Sequence, residues 1–246
     1  MALHISTGPH LRAKADTQRL MLDVLIALCP ATAASIYFYG IKAVLIILVS
    51  VAAAVLSEFV WQKLGHKTLR VNDLSAAVTG LLLALNLPAN VPLWIPLIGS
   101  VFAIIVVKQL FGGIGHNFLN PALAARAVLL TSWPSHMTKA FLPMRTLLES
   151  AAEKGVDTLS SATPLLVPGM TEVKDLLLGN IPGAIGETCK IAILIGLVYL
   201  LVRKVISWEI PVIMVGTVAL CLLFGHRGTN GFSVAEFQSR PDCWQW

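Results

Sequence analysis

Charge is scarce in this sequence. Of 246 residues only 13% are Asp, Glu, Lys or Arg while 56% are hydrophobic, and the mean hydropathy is +0.78. That balance excludes an ordinary soluble domain, in which about a quarter of the residues are charged. Acids are scarcer than bases, 13 against 18, for a net charge of +5. In so apolar a chain the basic excess belongs in the cytoplasmic loops of a membrane protein rather than on nucleic acid. Cysteine is also scarce: Cys29, Cys189, Cys221 and Cys243 are widely scattered, three of them in or beside apolar stretches. Their spacing offers neither a disulfide framework nor a metal-ligand pattern. Buried apolar thiols are the plain expectation, and no metal site is expected. The opening stretch, MALHISTGPHLRAKADTQRL, is polar and basic and lacks the apolar core of a cleavable signal peptide. Insertion is expected to rely on the spans themselves.

Long apolar runs are what the chain has in quantity. A hydrocarbon core about 30 Å thick takes about 20 apolar residues of helix, and windows of that kind give about seven segments here. The first runs from Leu20 to Tyr39, interrupted by Asp23 and Pro30; the second runs from Ile41 to Val60. From Leu74 to Val107 no residue is charged, and Pro88, Asn90, Pro92 and Pro96 divide this stretch into a short piece and a longer one. A fifth segment, Phe118 to Leu130, is short and holds Arg126; the last two begin at Cys189 and Ile210. The expected fold is an all-α integral membrane protein, a polytopic bundle with some segments short or broken.

The expected organisation is a cytoplasmic N-terminal segment (1–19), five membrane segments (20–133), an extracytoplasmic loop (134–186), two further membrane segments (187–225) and a polar tail (226–246). Orientation rests on the bases. Arg12, Lys14 and Arg19, then Lys63, Lys67 and Arg70, then Lys108, then Arg203 and Lys204 all fall on one side if each segment crosses once. The positive-inside rule makes that side cytoplasmic.

Short or broken helices at membrane depth have two readings. They hold a ligand between helices, as the half-helices of transporters do, or they simply pack inside the bundle. Asp23, Glu58, Lys108 and Arg126 are costly at membrane depth and mark charge compensation or an ion path; Glu58, Lys108 and Arg126 also suit snorkelling at helix ends. In KQLFGGIGHNFLNPA (108–122), Gly112, Gly113 and Gly115 permit positive φ and close backbone approach, so that backbone donors would face an anion or a ring. The spacing is not a dinucleotide fingerprint. Asn120 before Pro121 also makes a plain helix start, and His116 reads as a polar loop residue. Within GVDTLSSATPLLVPG (155–169), Thr163 before Pro164 suits an N-cap, and the same string has the form DxxSxATP.

KQLFGGIGHNFLNPALAARA (108–127), DTLSSATPL (157–165) and the order of spans around them resemble the family of RnfD proteins, membrane components of the Rnf ion-translocating electron-transport complexes, which is similar to the NqrB component of the sodium-pumping NADH:quinone reductases. The resemblance runs from Arg19 to about Gly225. It implies FMN esterified through its phosphate to the hydroxyl of Thr163 by a flavin transferase that recognises Asp157, Ser160 and Ala162. Ser161 stands where many acceptor motifs have glycine. The resemblance also implies a cofactor role for Gly113, Gly115, Asn117 and Asn120, and a second, noncovalent flavin such as riboflavin. The function implied is that of one membrane carrier in a translocase moving electrons between ferredoxin and NAD, coupled to Na⁺ or H⁺ transport. The partners implied are the other Rnf subunits (A, B, C, E and G), the flavin-bearing G above all, in the inner membrane of a bacterial cell. The alternatives are a flavin-free channel for a small solute and a scaffold for neighbouring subunits. Members of the family continue past the seventh span with further helices. The tail HRGTNGFSVAEFQSRPDCWQW (226–246) holds no apolar window long enough to span, so those helices are expected to be missing here.

Overall fold

A computed structural model of the chain describes residues 17–65, 73–138, 179 and 183–228, with residues 222–228 as backbone only. Among them the regular structure is helical, with one isolated antiparallel bridge, Pro88 to Ala184. The helices are α1 (Thr17–Tyr39), α2 (Ile41–Leu64), α3 (Ser75–Leu85), α4 (Trp94–Phe102), a π-helical continuation of α4 (Ala103–Gln109), α5 (Pro121–Ser132), α6 (Pro134–Met137), α7 (Lys190–Val202) and α8 (Glu209–Gly228). Two of these, α1 and α2, are long and apolar enough to cross a bilayer. The remaining apolar helices are shorter: α3, with 11 residues, is about 16 Å long against a core of about 30 Å.

α1 continues through Pro30 instead of breaking there. Pro30 removes one backbone donor, and neighbouring side chains bond to carbonyls around it: Thr32 Oγ1 donates to Cys29 O (2.8 Å) and Ser35 Oγ to Thr32 O (2.7 Å). The buried residues of α1 are Asp23, Ala27, Ala31, Ser35 and Tyr39, one every four positions, which forms a single narrow stripe. α7 lies antiparallel on that stripe. A Cβ on Gly196 would collide with the carbonyl oxygen of Ala27, so this crossing depends on small residues, as close helix packing in membranes does.

α2 packs on α3 and α4 by the same means. A Cβ on Gly80 would lie 2.8 Å from Ser50 O. Ser50 Oγ donates to Gly80 O (2.9 Å) and shares a 2.9 Å bond with Ser100 Oγ, all buried. The core is built from Tyr39, Ile46, Leu83, Leu87, Ile95 and Leu129 with small residues between them. The thiols depart from expectation: Cys29 and Cys221 lie exposed and Cys189 half-buried, while Cys243 lies outside the described residues.

The contacts sort the helix ends into two groups. Tyr39, Trp94, Trp133 and residues 183–188 gather at one end: Tyr39 Oη donates to Gly183 O (3.3 Å), and Trp94 meets Trp133 edge-on at 5.1 Å. At the other end lie the start of α1, the ends of α2 and α7, the start of α3 and the end of the π segment. Lys63, Lys108, Arg203 and Lys204 are all at this second end, which agrees with the grouping expected from their sequence positions.

Candidate functional site

The second end holds a buried polar cluster. Glu58 of α2 and Lys108 of the π segment are 3% and 2% exposed, and Lys108 Nζ lies 2.8 Å from Glu58 Oε1. Gln109 Nε2 (2.8 Å) and Gln62 Nε2 (3.2 Å) donate to the same oxygen, and Lys108 Nζ donates to Ser75 Oγ at 2.7 Å. Glu58 Oε2 is buried without a hydrogen-bond partner among the described residues. Neither Glu58 nor Lys108 snorkels. Each compensates the other's charge, because desolvating either alone costs far more than desolvating the pair. Gln62, four residues after Glu58 on the same helix, was findable from its spacing; Ser75 and Gln109 carry no mark in the sequence that singles them out.

The glycine loop hangs from this cluster. Lys108 O accepts from Gly113 N (3.0 Å), and Leu110 N donates to Ile105 O (3.0 Å), the five-residue reach of a π turn. Gly112, Gly113 and Gly115 have φ of 107°, 95° and 87°, and a Cβ at Gly113 or Gly115 would meet nothing within 4 Å. The Asn117 amide, with its nitrogen turned inward, donates to Gly113 O (3.1 Å) and Lys108 O (3.3 Å). Asn120 is the N-cap of α5, its Oδ1 accepting from Ala122 N (3.1 Å), with Pro121 at the first position, as the pair Asn-Pro indicates. His116 is exposed beside Gly112. Phe111 and Phe118, 47% and 70% exposed, meet edge-on at 5.0 Å across the loop mouth. The two asparagines therefore shape the loop, and Gly113 and Gly115 leave its backbone open.

At the first end the broken helix α3 is completed by protein. Gly186 N donates to Leu85 O (2.7 Å) and Ile185 N to Leu87 O (3.0 Å). Arg126 Nη1 donates to Asn86 Oδ1 (2.8 Å) and reaches Glu187 Oε1 at 3.4 Å. A cation at the negative end of a helix is favourable, and Arg126, 37% exposed, fills that place rather than snorkelling from a helix end. Asp23, the fourth charge, accepts from Tyr199 Oη (3.1 Å) and Arg203 Nη2 (3.3 Å), which ties the start of α1 to the end of α7. No group of three or more metal-ligating side chains occurs among the described residues. Asp157, Ser160, Ala162 and Thr163 lie outside the described residues, which resume at Gly183 after Thr138 apart from Gly179.

The sequence profile of the NQR2, RnfD, RnfE family matches residues 4–241, nearly the whole chain and both quoted stretches. The chain belongs to that family. It is 46% identical to the D component of the Na⁺-translocating ferredoxin:NAD⁺ oxidoreductase complex of Acetobacterium woodii, over 98% of this chain and 77% of the relative. It is 36% identical to the D component of the proton-translocating ferredoxin:NAD⁺ oxidoreductase complex of Clostridium ljungdahlii, over 94% and 72%. An Escherichia coli relative, the D component of an ion-translocating oxidoreductase complex, shares 33% identity over 92% and 74%. Membership in the NQR2, RnfD, RnfE family accords with the helical, apolar build of the described residues.

Proposed function

We propose that this chain is a membrane electron carrier in a ferredoxin:NAD⁺ oxidoreductase that drives Na⁺ or H⁺ across a bacterial cell membrane, with FMN tethered to Thr163. The observation that carries this reading is the likeness, over nearly the full chain, to components of complexes so named, together with DTLSSATP ending its acceptor pattern on Thr163. The chain acts only within an assembly, and the other Rnf subunits (A, B, C, E and G) and a flavin transferase are its partners in this reading. The basic end of the bundle faces the cytoplasm, and the opposite end, where Thr138 and Gly183 bracket the Thr163 stretch, faces outward, with about seven crossings in all.

Bound flavin accepts and returns electrons; the protein supplies a fixed position, hydrogen bonds and burial. The tether needs one hydroxyl, that of Thr163, with Asp157, Ser160 and Ala162 read by the transferase. A second, noncovalent flavin such as riboflavin has a candidate surface in the glycine loop. There Gly113 and Gly115 leave room for a ring to approach the backbone, Gly113 N being committed to Lys108 O, and Asn117 and Asn120 hold the loop's shape. A flavin-free channel built on the broken helix gains no support from α3. Leu85 O at its C-terminus and Leu87 O just beyond it, which would coordinate a solute, already accept from Gly186 and Ile185.

The test is flavin fluorescence of this chain on a denaturing gel, from cells that contain the transferase, with the intact mass measured in parallel. Fluorescence that survives denaturation and is absent from Thr163→Val is expected. An unmodified wild-type mass for the peptide around Thr163 would sink the redox reading.

A further inference from the structure

The seven-residue π segment Ala103–Gln109 continues a regular α-helix, and its last two residues, Lys108 and Gln109, both donate to Glu58 Oε1. A π turn accommodates one residue more than the α register would and is the less stable winding, so a run of it needs a local cause. The buried carboxylate supplies that cause. In an unbroken α-helix from Trp94, the position now held by Lys108 would belong to Val107, an apolar residue facing a buried charge. The extra residue is what brings the ammonium to the carboxylate.

We propose that Ala103–Gln109 is a two-register element whose winding is set by the charge on Glu58. With the carboxylate ionised the segment stays π-helical. With that charge lost it rewinds to α, turning Lys108 and Gln109 by one residue's rotation, about 100°, which the glycine loop beyond them takes up. Among the described residues the groups bonded to the Glu58–Lys108 pair are Gln62 from α2, Ser75 from α3 and Gln109 from the π segment, so Lys108 is the charged member that responds. Glu58 is held through Oε1 alone, since Oε2 has no partner among the described residues. Lys108 O also accepts from Gly113 N, so rewinding carries the Gly112–Gly115 loop with it. The positive φ values at Gly112, Gly113 and Gly115 make that loop a suitable hinge. The buried pair is thereby connected to the exposed Phe111 and Phe118 at the loop mouth.

The test is the structure of the assembled complex carrying Glu58→Gln, which keeps the volume and one acceptor oxygen but removes the charge. The Leu110 amide is expected to change acceptor from Ile105 to Val106, with Lys108 rotated away from position 58. A π segment unchanged in this variant overturns the proposal. A second variant guards against loss of fold. Deleting Ile105 removes the extra residue, so the assembled complex is expected with α winding throughout and Lys108 still beside Glu58. Failure of the deletion variant to assemble, or a broken Lys108–Glu58 contact in it, also counts against the two-register reading.

Discussion

Lys108 Nζ sits 2.8 Å from Glu58 Oε1, fifty residues away in sequence, with both side chains almost wholly buried. Removing one member of such a pair strands the other. Lys108→Met is expected to destabilise the protein by about 3–5 kcal/mol. The double variant Glu58→Met/Lys108→Met is expected to recover most of that loss, because an apolar pair of similar volume needs no desolvation. Apparent melting temperature of the purified complex reports both, and a double variant no more stable than the single one would contradict the argument.

Gly196 packs on the Ala27 carbonyl at the α1–α7 crossing, while a Cβ on Gly216 of α8 would meet nothing within 4 Å. Gly196→Leu should therefore cost about 1–3 kcal/mol by overpacking. Gly216→Ala should be neutral or slightly stabilising, within about 1 kcal/mol. Comparing detergent-solubilised yield and melting temperature of the two variants checks the contrast.

Asn120 caps α5 through a 3.1 Å bond from Ala122 N. Asn120→Ala should cost about 1 kcal/mol, and Asn120→Asp should keep most of the cap. Equal thermal stability of Asn120→Ala and wild type would show that the cap contributes nothing.

Gly113 has room for a side chain but a φ of 95°. Gly113→Ala is expected to cost about 1–3 kcal/mol through the backbone alone, and a thermal shift no larger than that of Gly216→Ala would rule this out.

The helical segments were legible because burying apolar length in a bilayer imposes a gross pattern. The ends at Tyr39, Ile41 and Pro121 follow from glycine or proline in the adjoining sequence. The glycine loop was legible as a string. The hydroxyl bonds of Thr32 and Ser35 beside Pro30 were not, since they form only once the helix has brought the carbonyls of Cys29 and Thr32 within reach. The π segment was equally hidden: AIIVVKQ has no mark that separates it from ordinary α-helix.

By itself the sequence determined the class of the protein, its family and the places where apolar helices form, because these depend on composition, local spacing and motif. Only the tertiary structure decided which charges are safe at depth. Glu58 finds Lys108, Asp23 finds Arg203, and Arg126 finds Asn86 at the end of α3, across separations of 50, 180 and 40 residues. The same holds for the end of α3, where Leu85 O and, just beyond the helix, Leu87 O accept from Gly186 and Ile185, far along the chain. The reason is common to all of them: the cost of a buried polar group depends on what lies beside it in space, and spacing along a chain does not report that.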